Sequence, residues 1–140
     1  MSQLPGGFTQ RPPRPEDLNF LFSTWMRACK RNIAEWARPD VGAALYHSAI
    51  ELRLAREQIT VVCVENQPLV IAGVAVISPQ NKALLFSYVK DPFRRAGIAT
   101  AMLAAVGFDN TWTVGTTTAT WQGEWLARHK IKFLNWELIR

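Results

Sequence analysis

The residues best suited to chemistry form one short run, Arg94-Arg95-Ala96-Gly97-Ile98-Ala99. An apolar stretch ending at Tyr88-Val89-Lys90 precedes it, and a run with helical character, Ile98 to Val106, follows it. A helix start presents backbone N–H groups without acceptors, together with a partial positive charge. A pyrophosphate fits such a place. Gly97 removes the Cβ that would hold the backbone away from a phosphate. The Arg94 and Arg95 guanidinium groups can add charge-assisted hydrogen bonds, and Ala99 and Ala101 keep the first helical turn small. The plainer alternative is a solvated arginine-rich turn with a glycine for shape.

Such a turn needs a strand before it, a helix after it and a sheet to hold both. Gln3 to Pro15 is rich in proline and glycine and predicts a loose start (residues 1–7), then a short edge strand near Phe8 to Arg11. Pro15 suits the first turn of a helix, and Glu16 and Asp17 suit its positive end. Leu18, Leu21, Phe22, Trp25 and Cys29 recur at helical spacing and predict one apolar face, with Asn19, Arg27 and Arg31 opposite. A second helix is expected after Pro39-Asp40, with Asp40 as its cap. Val41, Leu45, Ser48 and Leu52 should line one side of it, with Arg53 and Arg56 near its end.

The period then changes. Ile59 to Val64, Leu69 to Ile77 and Ala83 to Lys90 read as strands joined by short turns, which implies an antiparallel meander. Gly73 inside the middle strand marks a bulge or a close approach. The helix from Ile98 should end at Gly107, where a left-handed cap is needed. Thr111 to Thr117 predicts a strand, Trp121 to Lys130 a helix and Phe133 to Ile139 a last strand. Strand, helix, strand in that order implies a right-handed parallel crossover. The expected order is β-α-α-β-β-β-α-β-α-β, an α/β chain (α+β in character) with a central mixed sheet flanked by helices.

The bulk composition agrees with one such domain over residues 1–140. The chain has 140 residues, 49% of them hydrophobic and 19% charged, as in ordinary globular domains. Its longest strongly apolar run, Leu69 to Ile77, is shorter than the ~20 residues a membrane helix needs. The first residues lack the charged and apolar regions of a signal peptide, and Cys29 and Cys63 read as buried reduced thiols. A cytoplasmic protein without membrane contact is expected. The net charge of +5 suits an anionic cofactor or an acidic partner. The basic residues are spread along the chain, which argues against nucleic-acid binding as the main role. No metal-ligand spacing is present.

The turn, with Tyr88-Val89 and Asp91-Pro92-Phe93 leading into it, resembles the acetyl-coenzyme A signature of the GCN5-related N-acetyltransferases. That signature, Arg/Gln-x-x-Gly-x-Gly/Ala after a strand, is met by Arg94, Gly97 and Ala99. The order of elements is also similar to that family's, as is the lead-in to the first helix, Arg11 to Leu18. The resemblance implies acetyl-CoA as cofactor and transfer of its acetyl group to an amine of a protein or small molecule. It implies that the strand ending near Val89 splays from the next strand, so that the cofactor's pantetheine arm lies between them. Backbone groups of Tyr88, Val89 and Lys90 would then face the cofactor. The Val89 N–H would polarise the thioester carbonyl, and the backbone of Arg95, Ala96, Gly97, Ile98, Ala99 and Thr100 would hold the pyrophosphate.

The chain departs from the family in its proton-transfer groups. The strand Ala83 to Lys90 has no Asp or Glu, and the late helix has no tyrosine. Arg128 falls where the family's tyrosine often lies. The remaining catalytic candidates are Glu124 and His129 on that helix; a histidine titrates near neutrality. Ser87 and Tyr88 could donate a proton, and His47 on the second helix could touch the acceptor. Six tryptophans are present, and Trp112, Trp121, Trp125 and Trp136 gather in the last third. They read as core and partly covered surface, or as a homodimer contact or acceptor pocket. A catalytically inactive relative acting through CoA binding or through protein or nucleic-acid contacts is the alternative function.

Overall fold

The computed structural model describes residues 4–33, 39–109, 111–115 and 132–134, with side chains at 4–28, 47–48, 50–109 and 111–113. The expected helix at 121–130 lies outside them, as do Glu124, His129, Arg128, Trp121, Trp125 and Trp136.

Strand β1 (Phe8–Arg11) leads into helix α1 (Pro15–Ile33) and helix α2 (Pro39–Arg56). Strands β2 (Gln58–Val64), β3 (Gln67–Ser78) and β4 (Ala83–Val89) follow, then helix α3 (Ile98–Ala105) and strands β5 (Thr113–Gly115) and β6 (Lys132–Leu134). They form a single six-stranded sheet in the order β1-β2-β3-β4-β5-β6. The first four strands pair antiparallel; β5 lies parallel to β4, and β6 parallel to β5. The mixed sheet expected from the turn lengths is therefore present.

The central strands are apolar on both faces because both faces are covered. Leu21 and Trp25 of α1 and Ile50 of α2 cover a front layer with Val61, Ile71, Val74, Val76, Ala83, Leu85 and Phe86. Trp25 stacks on Phe86, with ring centroids 5.2 Å apart and planes 9° from parallel. Behind the sheet, Ile98, Met102 and Leu103 of α3 pack with Val62, Ala72, Ala75, Ile77, Leu84 and Val89. Side chains alternate between these layers except where the register shifts, and two of the three shifts fall among the core residues. Ala72 is an extra residue in β3, between Cys63↔Ile71 and Val62↔Gly73. Leu85 is an extra residue in β4, between Val76↔Phe86 and Ile77↔Leu84. Each bulge resets the parity, so Leu85 and Phe86 both face front.

The helix faces differ from the periodicity reading. In α1 the buried positions are Asp17, Leu21, Thr24 and Trp25, while Leu18 is 37% exposed. An ion pair sets this rotation. Arg11 of β1 donates from both terminal nitrogens to the Asp17 carboxylate, at 2.6 and 2.9 Å. The Arg14 N–H donates to the same carboxylate at 2.6 Å. Arg11 also donates to the Pro68 carbonyl at 2.7 Å, which ties β1, the start of α1 and the β2–β3 turn together. Hydrogen bonding from Arg11, and then from the Arg14 N–H, holds the Asp17 carboxyl below the ordinary range despite burial.

In α2, Ser48 and Leu52 face water, Leu52 at 51% exposure. The buried stripe runs instead through Ile50 and Arg53, with Leu54 partly covered. The expected side through Ser48 and Leu52 is thus not the inward one, because apolar residues are spread around this helix; the side chains of Val41 and Leu45 lie outside the described residues. Arg53 lies 3.7 Å from Glu57, one turn on.

Among the described residues no helix is long and apolar enough to cross a membrane.

Candidate functional site

The site is built at the end of β4. A strand presents its backbone groups alternately to its two neighbours. The Tyr88 carbonyl faces Gly73 of β3, and the Lys90 N–H donates to the Ala72 carbonyl of β3 at 2.8 Å. The N–H and C=O of Val89, lying between them, therefore point to the opposite side. That side is open. Pairing with β5 is confined to Ala83↔Thr113 and Leu84↔Val114 among the described residues. The two strands join at the start of β4 and leave its later residues without a described neighbour. By the same alternation Ser87 also presents its backbone there.

These bonds narrow the expected set. Of Tyr88, Val89 and Lys90, only Val89 turns its backbone to the open side. Both backbone groups of Lys90 are engaged within the protein, since its carbonyl accepts from the Phe93 N–H at 2.9 Å. By strand alternation the Ser87 backbone points the same way as that of Val89. The Ser87 side chain is buried.

After β4 the chain makes a 3-10 turn, Asp91–Phe93, and then a left-handed step at Arg95 (φ +65°) and another at Gly97 (φ +88°). Ala96 between them does not have a positive φ. Alternation of this kind gathers successive N–H groups into a concave nest that suits an anion. The backbone N–H groups of Arg95, Ala96, Gly97, Ile98, Ala99 and Thr100 have no backbone acceptor among the described residues. The first acceptor in the helix is the Gly97 carbonyl, which takes the Ala101 N–H at 3.0 Å. A Cβ built on Gly97 would meet nothing among the described residues within 4 Å. Gly97 is thus required by its left-handed backbone as well as by any ligand's approach.

Two side chains act differently from expectation. Ala101 does not face the turn; it is buried against the sheet beside Ile98 and Met102. The Arg94 guanidinium folds back. Its Nε donates to the Val89 carbonyl at 2.8 Å, one terminal nitrogen lies 3.2 Å from Asp91, and its centre is 5.4 Å from the Tyr88 ring centroid. Arg94 therefore closes the turn onto the strand and occupies the Val89 carbonyl, leaving the Val89 N–H toward the open side. Arg95 is exposed and can reach outward.

Helix α3 is held rigidly behind this turn. Gly73 lets β3 pass close, since a Cβ there would lie 3.2 Å from the Tyr88 carbonyl and 3.3 Å from both Ile98 and Val89 methyls. The helix ends as expected at Gly107 (φ +74°), with Gly107 N–H bonded to Ala104 and Phe108 N–H to Leu103, a Schellman cap. His47 is half-exposed, 3.5 Å from Glu51 and edge-on to Phe22 at 4.6 Å. Among the described residues no group of His, Cys, Asp and Glu could hold a metal.

No protein-family model and no curated protein matches the chain by sequence. Solved structures do match. One is described as a histone acetyltransferase HPA2 and related acetyltransferase, from Corynebacterium glutamicum. It is 16% identical with a TM-score of 0.53, and the match covers 87% of this chain and 83% of that one. Another is a GCN5-related N-acetyltransferase from Rhodopseudomonas palustris. It is 15% identical with a TM-score of 0.50, and the match covers 76% of this chain and 68% of that one.

Proposed function

We propose that this chain, which has the fold of the GCN5-related N-acetyltransferases, binds acetyl-CoA at the turn after β4 and transfers its acetyl group to an amine. The observation that carries this reading is the row of unaccepted N–H groups from Arg95 to Thr100 around Gly97. Such donors suit a pyrophosphate, and the outward Val89 N–H suits an amide or thioester arm lying along the strand. When bound, acetyl-CoA supplies an acyl thioester, whose carbonyl accepts the amine and whose thiol departs.

The chain's own groups then have distinct tasks. Arg95 to Thr100 bind and orient the phosphates. Arg94 keeps the Val89 carbonyl occupied, so the strand offers a donor, and the Val89 N–H stabilises charge on the carbonyl oxygen. An amine attacks only when neutral, so a base must take its proton. We assign Glu124 or His129 to this proton transfer, on the resemblance alone; both lie outside the described residues. Tyr88, partly buried against the front layer, is a further candidate proton donor.

A second reading is a chain that binds CoA without transferring acetyl groups. It is favoured by the absence of any Asp or Glu from β4. We place either protein in the cytoplasm. Titration calorimetry with acetyl-CoA and CoA, followed by thiol release across a panel of amines, separates the readings. Binding with release supports the first and binding without release the second. No binding at high micromolar coenzyme overturns both.

A further inference from the structure

The turn after β4 is held at both ends from behind the sheet. At its far end, Ile98 is buried in the back layer beside Gly73 of β3. At its near end the anchor is Phe93, two positions before Arg95. The Phe93 N–H donates to the Lys90 carbonyl at 2.9 Å, which fixes its backbone. Its ring meets that of Phe8 in β1, with centroids 5.5 Å apart and planes at 83°, and both residues pack against the back layer. Phe8 is itself fixed. It pairs with Val64 of β2, and its N–H donates to the Pro5 carbonyl at 3.3 Å. The Gly7 carbonyl beside it accepts from the Glu65 N–H at 2.8 Å. A ring seated on the first strand of the sheet therefore reaches the turn from the start of the chain's fold.

The turn needs such support. Arg95 has a left-handed backbone, φ +65°, which residues other than glycine rarely adopt. A strained step of this kind persists only where its surroundings impose it. Its alternation with Gly97 is what gathers the N–H groups into a nest. Edge-on aromatic pairs stabilise beyond the area they bury, and a site shaped before its ligand arrives binds that ligand more tightly. We propose that Phe8 is a positioning residue for the coenzyme. By holding Phe93 it keeps the left-handed step at Arg95 in the shape that takes a pyrophosphate, and it acts through Phe93 and the backbone. This inference rests on the reading of the turn as the coenzyme site.

The test is calorimetry with CoA on variants whose urea midpoints are measured alongside. Phe8→Ala and Phe93→Ala are each expected to weaken CoA binding by about three- to tenfold. The double variant should be weaker than the worse single by less than about twofold, because the two rings act as one unit. Phe8→Tyr keeps the ring and should stay within about twofold of wild type. Phe108→Ala removes a different ring from the back layer, one that meets Trp112 at 5.5 Å beyond the end of α3. It should lower the urea midpoint and leave the CoA Kd within about twofold. If Phe8→Ala does not fold, Phe8→Leu keeps the apolar volume without the ring and carries the same expectation. Unchanged affinity in folded Phe8→Ala or Phe8→Leu overturns the proposal. So do losses that add fully in the double variant, and a Phe8→Tyr variant as weak as Phe8→Ala. An equal loss in Phe108→Ala also overturns it, since the cause is then a general loosening of the back layer. In all these cases the coenzyme site stands. No CoA binding by the wild type, or binding that survives Gly97→Val unchanged, overturns the coenzyme reading itself.

Discussion

At the scale of single residues, Gly97 and Asp17 carry different kinds of information. Gly97 combines a left-handed backbone with a Cβ position that meets no described residue within 4 Å. Gly97→Val should cost about 1–2 kcal/mol in stability from backbone strain and weaken CoA binding by about tenfold or more, the scale of one lost charge-assisted hydrogen bond. Urea unfolding and calorimetry on the same variant separate the two effects. Unchanged affinity would place the coenzyme elsewhere. Asp17 is a matter of stability. Its folded pKa lies below the unfolded value because Arg11 hydrogen-bonds the carboxylate. The pair therefore stabilises the fold fully above the ordinary carboxylate pKa of about 4 and loses that contribution as pH falls through the lower folded value. Asp17→Ala should cost about 2–3 kcal/mol near neutrality, and the gap to wild type should close toward pH 2. A gap constant with pH would mean that packing, not charge, is what Asp17 provides. Its inward position was not legible in the sequence, where an acidic residue in a first helical turn reads as a solvated partner of the dipole.

Among the elements, β3, β4 and α3 act as one unit. Gly73 permits the close pass of β3 against the Tyr88 carbonyl, Val89 and Ile98. Ile98 is the first residue of α3, so strain at Gly73 reaches the turn before α3 directly. Gly73→Val should destabilise by about 1–3 kcal/mol through overpacking and also weaken CoA binding, whereas Trp25→Ala should cost about 3–5 kcal/mol from the opposite face. If Gly73→Val lowers the denaturation midpoint but leaves CoA affinity intact, the coupling between strand and turn is absent. The close approach at Gly73 was legible, because a glycine inside a β-branched run needs a packing reason. The face of α2 was not. Its apolar residues have no single period, so only the position of Ile50 under the sheet decides that Leu52 is left in water. Leu52→Ser is accordingly expected to change stability by less than about 0.5 kcal/mol.

For the whole molecule, ligand linkage gives the broadest test. A coenzyme that binds only the folded chain stabilises it by about 2.7 kcal/mol at a hundred times its Kd. For a chain of this size that corresponds to a rise in Tm of roughly 5–10 °C. A scan with CoA should show it in the wild type and show much less in Gly97→Val. An equal shift in both would argue against the turn as the site.

The amino-acid sequence alone determined the succession of the described elements as far as α3 and the turn that ends β4. Both depend on local properties: alternation in strands, glycine where φ is positive, and an apolar run opening a helix. It also carried the resemblance on Arg94, Gly97 and Ala99. Tertiary structure decided what those residues do. Strand pairing turns Val89, and not Tyr88 or Lys90, toward the open side, because backbone groups alternate and β3 takes the others. Side-chain bonds spanning six and five positions turn Asp17 inward onto Arg11 and fold Arg94 onto the Val89 carbonyl, and Arg11 is tied in turn to Pro68, far along the chain. The Lys90 ammonium meets Phe20, seventy positions earlier, a pairing that no spacing along the chain encodes because it exists only once α1 lies across the sheet.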